Sequence, residues 1–339
     1  RHIVPVCTRI SDSGRFMKYN ILHLLFKYGI DKTDWDWYNK ANRRNMKLFL
    51  AENWKDYELI DTGDGEKLER WGRFVLRRPD PQVIWPRASD DKFWNIAHAR
   101  YHRSNTGGGS WEYFSKLPEQ WGISWENLTF HVKPMGFKHT GVFPEQAVNW
   151  EWIMKKIKHS SRPVRVLNLF AYTGCASAAA ACAGAEEVCH VDAAKGMVTW
   201  AKENLRLSGL ANRRVRFLVD DAVKFVQREI RRGRQYDAVI MDPPSYGRGP
   251  GGEVWKIENK LYGLIELCRK VLSPHPLFFL INSYTTGLAP TVLYNLLTLS
   301  MKKEYGGAVT SDEVGLPITR SGLILPCGAS GRWEAEAEK

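Results

Sequence analysis

The chain has 339 residues, of which 44% are hydrophobic and 25% are charged, as in ordinary soluble globular proteins of one or two domains. Its Lys and Arg exceed its Asp and Glu by 12, which favours a polyanionic partner because phosphate neutralisation dominates nucleic-acid affinity. No apolar run reaches the roughly 18 residues of a membrane helix. The six cysteines match neither a metal-binding nor a disulfide spacing. We therefore predict a cytoplasmic protein with reduced thiols, no membrane contact and no metal.

The first 45 residues differ from the rest of the chain in charge and in pattern. Residues 1–50 contain ten Lys and Arg against four Asp and Glu, an excess of six out of the total of 12. Tyrosine and tryptophan are frequent there, yet no hydrophobic period is sustained. We therefore predict that residues 1–45 form a basic extension.

Residues 46–148 have the pattern of short strands joined by turns. The segments "YELIDTGDGEKLERWGRFVLRRP" (57–79) and "LTFHVKP" (128–134) alternate between apolar and polar residues, and "TGDG" and "NTGGG" are typical turns. This pattern predicts a smaller, β-rich N-terminal domain, to which we assign substrate recognition.

Residues 149–339 change to an alternation of strands and helices. Five short apolar segments are separated by amphipathic or alanine-rich helices: "VRVLNLF", "EVCHVD", "VRFLVD", "YDAVIMD" and "PLFFLIN". Such alternation predicts an α/β fold, with a Rossmann-like, doubly wound, mostly parallel sheet.

Polar and glycine residues follow the first three of these strands. Asn168 and the turn Tyr172-Thr173-Gly174 end the first strand, where glycine lets the backbone approach a ligand and a helix begins. Asp192 ends the second strand and could bridge ribose hydroxyls, while Asp221 follows the third and could accept from an adenine amine. Because ligands of such sheets bind beyond the carboxyl ends of the strands, these residues predict a nucleoside site without a GxGxxG dinucleotide motif.

The run from "VRVLNLFAYTGCAS" through "VRFLVDDAVKFV" to "YDAVIMDPPSYGRG" resembles class I S-adenosylmethionine-dependent methyltransferases. It is most similar to the group that contains the bacterial large-subunit ribosomal RNA cytosine-5 methyltransferases and their uncharacterised relatives. "KHTGVFPEQAVNW" (138–150) resembles the lead-in of that group, and "LILPCGASGRW" (323–333) resembles the end of one branch. The similarity covers roughly residues 50–335. It implies S-adenosylmethionine as cofactor, and ribosomal RNA as the partner and substrate.

The resemblance also implies which residues bind the cofactor. The loop after the first strand would run alongside the methionine part of the cofactor. Asp192 would hold the ribose hydroxyls, and Asp221 would contact the adenine. Residues of the lead-in would close over the cofactor. The complete set is Phe143, Gln146, Asn168, Phe170, Tyr172, Thr173, Gly174, Asp192, Ala193, Asp221 and Ala222.

The fourth strand ends in "MDPPSYGRG" (241–249), which resembles motifs that methylate planar amines. The rigid Pro243-Pro244 pair would fix backbone carbonyls that, together with Asp242, accept hydrogen bonds from an exocyclic amine. Tyr246 would stack on the base, one position later than in the family pattern, because Ser245 intervenes. We therefore predict Asp242, Pro243, Pro244 and Tyr246 as catalytic residues, and a mobile lip at 247–252.

Cytosine C5 methylation needs a cysteine thiolate, which in the cytosine-modifying relatives follows the fifth strand. This chain has Asn282, Ser283 and Tyr284 at that place, so we predict direct transfer to nitrogen. Three alternatives remain: a cytosine C5 enzyme that uses Cys327, a methyltransferase for a protein or small molecule, and a non-catalytic RNA-binding module. The basic segment 228–234 is interpreted as a solvated helix end.

Overall fold

The computed structural model describes residues 48–87, 91–104, 108–248, 254–284 and 287–336. The predicted basic extension lies outside these residues. Residues Leu48–Lys339 form one compact unit. In the part of the chain that is described, no helix combines the length and the apolar character that crossing a bilayer would require.

The strands follow the predicted pattern of hairpins first and isolated apolar strands later. In chain order they are β1 (Leu48–Leu50), β2 (Tyr57–Gly63), β3 (Glu66–Trp71), β4 (Phe74–Pro79), β5 (Ala99–Arg103), β6 (Gly109–Tyr113), β7 (Trp121–Trp125), β8 (Leu128–Val132), β9 (Arg165–Leu169), β10 (Glu187–Asp192), β11 (Val215–Val219), β12 (Ala238–Met241), β13 (Tyr246–Arg248), β14 (Val254–Lys256), β15 (Phe278–Ser283), β16 (Ala308–Pro317) and β17 (Ile324–Glu334).

The helices lie mostly in the second half of the chain. They are α1 (Asp91–Trp94), α2 (Ala147–Lys158), α3 (Cys175–Cys182), α4 (Lys195–Leu207), α5 (Ala222–Arg231), α6 (Ile257–Arg269), α7 (Pro290–Leu297) and α8 (Lys303–Tyr305). A 3-10 turn, Pro144–Gln146, precedes α2, and a π-helical turn, Thr298–Lys302, joins α7 to α8.

Within the described residues, the largest sheet has eight strands in the order β1-β16-β17-β15-β12-β9-β10-β11. β17 runs antiparallel to both of its neighbours, whereas every other pair is parallel. The five apolar segments recognised in the sequence are β9, β10, β11, β12 and β15, so the predicted doubly wound, mostly parallel sheet is confirmed. The chain runs from β9 through β10 to β11 on one side and places β12 on the other. The switch point between β9 and β12 is therefore where a ligand site is expected.

The central strands are buried on both faces, which explains their continuous apolar sequences. β12 and β15 have every residue buried, and β9 and β10 have one exception each. α2 and the alanine-rich α3 pack on one face of the sheet, and α5, α6 and α7 pack on the other. The edge strand β11 is only partly buried.

β16 and β17 were not predicted as strands. β16 pairs with β17 over most of its length, with an irregularity between Glu313 and Gly315, and β17 completes the sheet beside β15. This register shift interrupts the alternation by which a strand is recognised. Pairing on both sides of the irregularity nevertheless holds the two long strands together.

The β-rich N-terminal region is present. β2 to β6 form a sheet in sequence order, and β7 pairs with β8 as a separate hairpin. Trp71, Leu76 and Phe130 of this region belong to the same buried cluster as Val166 of β9. β1, although it lies within 46–148, joins the large sheet beside β16. The predicted boundary near residue 148 stays a prediction.

Candidate active-site cleft

The loop after β9 has a strained backbone at the carboxyl edge of the sheet. Phe170, Tyr172 and Gly174 have φ values of 54°, 50° and 83°, a region that residues other than glycine rarely adopt. A Cβ added to Gly174 would lie 2.8 Å from the Cβ of Ala201 in α4. Glycine therefore permits both the turn and the close packing of the loop against α4.

Asp192, the last residue of β10, holds this loop in place. Its Oδ2 accepts a hydrogen bond from the Tyr172 amide at 2.8 Å, and its Oδ1 accepts one from the Ala194 amide at 2.8 Å. Each carboxylate oxygen has a second lone pair, and the side chain is only partly buried. Asp192 can therefore fix the loop and still accept from ligand hydroxyls.

A cleft of about 430 Å³, including its open mouth, lies where β9 and β12 end. Eight of the fifteen predicted site residues line it: Phe143, Gln146, Asn168, Phe170, Tyr172, Thr173, Gly174 and Asp242. The other seven do not line it: Asp192, Ala193, Asp221, Ala222, Pro243, Pro244 and Tyr246. The first four of these seven lie at or directly after the carboxyl ends of β10 and β11, which are the next strands along the same edge.

Asp221 is exposed and caps α5, since its Oδ1 accepts a hydrogen bond from the Lys224 amide at 2.9 Å. The structure thus gives this carboxylate a local role that the sequence did not predict. Adenine binding by Asp221 stays a prediction.

Asp242 lies at the end of β12 and lines the cleft. Among the described residues, no side chain or backbone group donates a hydrogen bond to its carboxylate. Burial, reinforced by the nearby carboxyl of Glu145, raises the pKa of Asp242 from its ordinary 3.8 to about 7. An acid with a free acceptor and a pKa near neutrality is suited to hydrogen bonding or proton transfer with a ligand.

The two prolines after Asp242 differ in their contacts. The Pro244 carbonyl accepts a hydrogen bond from Trp255 Nε1 at 2.5 Å, whereas no described hydrogen bond reaches the Pro243 carbonyl. Trp255 also packs against Phe170 of the β9 loop, with ring centroids 5.8 Å apart. Trp255 was not predicted from the sequence, because its role depends on a hairpin contact.

Tyr246 begins the β13–β14 hairpin and is 50% exposed. Part of the predicted glycine-rich lip, residues 249–252, lies outside the described residues, while Gly247 is paired with Trp255 in the hairpin.

A buried polar network supports the floor of the cleft and was not predicted. Asn149 Nδ2 lies within hydrogen-bonding distance of Gln146 Oε1, Asn282 Oδ1 and Ser330 Oγ at 2.8, 3.0 and 2.8 Å. Arg332 donates to Asn149 Oδ1 through both Nε and Nη2. Asn282, which with Ser283 forms the polar end of the apolar strand β15, was the signal in the sequence. Its partners come from segments far along the chain. A fully bonded buried network of this kind holds its members rigidly.

An aromatic wall closes one side of the cleft. The Phe143 ring lies 5.4 Å from that of Tyr172, 5.5 Å from that of Tyr284 and 5.2 Å from that of His139. Gln146 Nε2 donates to the Tyr284 hydroxyl at 2.7 Å. The Tyr172 hydroxyl is buried and lacks a partner among the described residues. A ligand in the cleft would offer the polar atom that this hydroxyl lacks.

These residues fit S-adenosylmethionine. The orphaned Tyr172 hydroxyl and the glycine turn that opens α3 would receive its amino-acid end. The Asp192 carboxylate has lone pairs for the ribose, and the aromatic wall with Asp242 suits a cationic sulfonium. In the described chain no group of three metal-ligand side chains converges.

Cys327 lies in β17, where its thiol donates to the Leu325 carbonyl at 3.4 Å. Burial is the main cause that raises the pKa of this thiol well above its ordinary value, and the Glu145 carboxyl adds to it. The thiol is therefore protonated near neutral pH and lacks the thiolate that nucleophilic catalysis needs.

Three of the four arginines of the basic segment 228–234 form ion pairs within the described chain. Arg228 pairs with Asp220, Arg232 with Glu229, and Arg234 with Glu187. The interpretation as the charged end of α5 agrees with these contacts.

The fold and cleft define a class I S-adenosylmethionine-dependent methyltransferase, and comparison with known proteins agrees. The family model for S-adenosylmethionine-dependent methyltransferases matches residues 77–269, more than half of the chain. The crystal structure of the S-adenosylmethionine-dependent methyltransferase from Agrobacterium tumefaciens is 38% identical, with a TM-score of 0.81, and the match covers 85% of this chain and 93% of that one. This chain belongs to the S-adenosylmethionine-dependent methyltransferase family.

More distant similarities point in the same direction. A structure from Streptococcus mutans shares the fold at 19% identity, with a TM-score of 0.62 over 95% of this chain and 83% of its own. The ribosomal RNA large subunit methyltransferase K/L of Shewanella baltica is 32% identical over 146 residues, and that of Pseudoalteromonas translucida is 30% identical over 146 residues. Each match covers 43% of this chain and 20% of the relative. The chain thus spans about a fifth of the length of these curated relatives.

Proposed function

We propose that the chain methylates a base of RNA, in the first place ribosomal RNA, by direct transfer to a nitrogen atom. The observation that carries the proposal is Asp242, with its free carboxylate in the cleft next to the Asp-Pro-Pro turn. The net charge of +12 and the ribosomal RNA methyltransferases among the relatives support an RNA substrate. On this proposal the β-rich region 46–148 recognises the substrate and residues 149–339 form the catalytic domain.

S-adenosylmethionine supplies an electrophilic methyl group and a neutral thioether leaving group. The residues of the chain align and activate the acceptor. Asp242 and the Pro243 carbonyl accept hydrogen bonds from an exocyclic amine, which orients the nitrogen lone pair towards the cleft. With a pKa of about 7, Asp242 can also take the proton that the amine loses on methylation. The exposed Tyr246 ring stacks on the base.

The cysteine chemistry favours nitrogen over cytosine C5. β15 ends in Asn282 and Ser283, followed by Tyr284, with no thiol. Cys327 is held protonated and donates to a backbone carbonyl. Since attack on C6 of cytosine requires a thiolate, these two observations support direct transfer.

Mass spectrometry of nucleosides from ribosomal RNA, with and without the gene, tests the proposal. We expect one N-methylated base to be lost in the deletion strain and restored by the unsubstituted chain, but not by an Asp242→Asn variant. Loss of a C5-methylated cytosine, together with a covalent complex between the unsubstituted chain and 5-fluorocytosine RNA that Cys327→Ser abolishes, would establish the cysteine mechanism instead. An unchanged nucleoside profile would move the substrate to protein or small molecules, or leave a non-catalytic RNA-binding module.

A further inference from the structure

The loop between β8 and the cleft contains a lysine without an ion pair in the described chain, Lys138, and an exposed aromatic ring, Phe137. We call residues 133–139, with the sequence KPMGFKH, the cleft-mouth loop. The Lys133 amide donates to the Thr140 carbonyl at 3.0 Å and closes its base. The next residues along the chain, Gly141 and Phe143, line the cleft. The His139 ring packs 5.2 Å from that of Phe143. This loop therefore stands at the mouth of the cleft.

The β-rich sheet fixes the backbone of the cleft-mouth loop. Trp111 Nε1 donates to the Met135 carbonyl at 2.7 Å, the Tyr101 hydroxyl to the Gly136 carbonyl at 3.2 Å, and Arg78 Nη1 to the Lys138 carbonyl at 2.8 Å. Three side chains from β4, β5 and β6 thus bind three main-chain carbonyls. The loop is preorganised, so a ligand that binds to it loses little free energy in ordering it.

Two cations at this loop lack a carboxylate partner. Within the described residues, neither Lys138 nor Arg103 of β5 forms an ion pair. The carboxylate that acts on Lys138, Asp80, is already paired with Lys67 at 3.3 Å. Burial, together with the cations Lys67, Arg78 and Arg103, lowers the pKa of Lys138. A partly buried ammonium among other cations is unfavourable until an anion binds beside it.

The histidine of the loop, His139, adds no further positive charge at this place. Burial, reinforced by Arg78, Lys138 and Lys67, lowers the pKa of His139 to about 4, so that its imidazole is neutral at physiological pH. Next to Lys138, the Phe137 ring is 64% exposed. An exposed ring beside unpaired cations has the chemistry of a single-stranded nucleic-acid contact, in which a base stacks and a phosphate pairs.

From this geometry we infer that the cleft-mouth loop and Arg103 form the docking site for the RNA strand next to the target nucleotide. Lys138 and Arg103 bind a backbone phosphate, and the Phe137 ring stacks on a neighbouring base. The inference rests on the proposed RNA substrate and adds to it the residues that hold the strand outside the reaction centre.

Binding of a fluorescein-labelled, single-stranded RNA 20-mer of mixed sequence, measured by anisotropy at several NaCl concentrations, tests the inference. We expect Lys138→Gln and Arg103→Gln each to weaken binding about 3- to 10-fold at 0.1 M salt and to reduce the slope of log K against log salt by about 0.7. Phe137→Leu keeps the bulk and loses the ring; it should weaken binding about 5-fold or more with an unchanged salt slope, because stacking releases no counterions.

Lys158→Gln is the matched control. Lys158 is exposed at the far end of α2, roughly 16 Å along the helix from its start at the cleft, and its substitution should leave affinity and slope unchanged. S-adenosylhomocysteine affinity, measured by calorimetry, should be equal in all variants and shows that the cleft is intact.

The outcomes separate the inference from the proposed function. Salt-dependent RNA binding by the unsubstituted chain, with Lys138→Gln and Arg103→Gln no weaker than Lys158→Gln, overturns the phosphate contacts and leaves the RNA substrate standing. A Phe137→Leu variant with unchanged affinity overturns the stacking contact. No salt-dependent binding by the unsubstituted chain overturns the RNA substrate, and the docking site with it.

Discussion

Asp242 shows how the tertiary environment changes the chemistry of a single residue. A carboxyl group at a strand end is ordinarily ionised and solvated. Here burial and the neighbouring Glu145 raise its pKa to about 7, and no described group donates a hydrogen bond to it. The chain thus keeps an unfavourable carboxylate in its cleft, as is common at functional sites.

The first prediction concerns the role of Asp242 in turnover. Asp242→Asn keeps the size of the side chain and one acceptor, but removes the negative charge and the ability to take a proton. We expect S-adenosylmethionine affinity to change little and kcat to fall by about 10²- to 10⁴-fold. In the unsubstituted enzyme, kcat/KM should rise as pH increases through about 7, because the ionised form is the acceptor. Equal rates for the variant and the parent would remove Asp242 from the mechanism.

The same carboxyl should lower stability above neutral pH. Because its pKa is raised in the folded state, folded Asp242 keeps its proton between about pH 4 and 7, while the unfolded chain has released it. Its contribution to the free energy of unfolding therefore falls across that window and is lowest above pH 7. At pH 8 the free energy of unfolding of Asp242→Asn should exceed that of the parent by about 1–3 kcal/mol, since solvent at the cleft mouth moderates the effect. At pH 4 the two free energies should be almost equal. Urea unfolding at the two pH values measures the difference; a gain that is equal at both would contradict the assignment.

Asp192 combines a structural and a binding role. Asp192→Ala removes the acceptor for the Tyr172 amide and the proposed ribose contact. We expect S-adenosylmethionine binding, measured by calorimetry, to weaken by about 1.5–3 kcal/mol, and the thermal unfolding midpoint to fall as the strained loop is released. A lower midpoint with unchanged affinity would restrict Asp192 to the structural role.

At the scale of elements, the site depends on how the loop after β9 packs against α4. Gly174 has a positive φ and sits against Ala201. The contact explains why the first residues of α3 lie open to the cleft. Strand ends alone would not give this arrangement, since the loop must also pack closely against α4.

Gly174→Ala tests this packing. The added methyl group would meet Ala201 at 2.8 Å in a backbone conformation that disfavours a side chain, so the free energy of unfolding should fall by roughly 2–4 kcal/mol. Gly196→Ala is the control, because Gly196 lies within α4 and a Cβ there meets nothing within 4 Å. That substitution should stabilise the chain by about 0.5–1 kcal/mol. Denaturant unfolding of both variants checks the pair, and similar effects of the two would contradict the close approach.

At the scale of the whole molecule, the β-rich region and the large sheet share one buried cluster. Trp71 and Leu76 pack with Val166, and β1 extends the large sheet beside β16. The cleft-mouth loop crosses from one part to the other. The shared core therefore fixes the position of the β-rich region with respect to the cleft.

Deletion of residues 1–45 should leave this body intact, because the cut ends before β1. It removes nine Lys and Arg and four Asp and Glu, a net charge of +5. We expect thermal unfolding and S-adenosylmethionine affinity to be unchanged, while RNA affinity falls and its salt dependence decreases. A deletion variant that is insoluble would show that the segment is needed for folding.

The sequence by itself determined the parallel sheet and the edge at which the cleft lies. Continuous apolar strands alternate with amphipathic helices, and this local period is enough to define β9, β10, β11, β12 and β15. It also located the residues at the strand ends, since parallel strands bring their carboxyl ends to one edge. Six of the eight predicted residues that line the cleft lie at the end of β9, in the loop after it or directly after β12, whereas Phe143 and Gln146 were identified through the family resemblance.

Only the tertiary structure decided the features that depend on residues distant in sequence. Asn149 and Arg332 are 183 positions apart and meet beneath the cleft. Trp255 reaches Pro244 only because a hairpin folds back. The pKa of Asp242 depends on burial and on Glu145, and the cleft-mouth loop is fixed by side chains of another sheet. Local patterns specify which elements form, whereas contacts, burial and charge arise when those elements pack, and these decide the chemistry of the site.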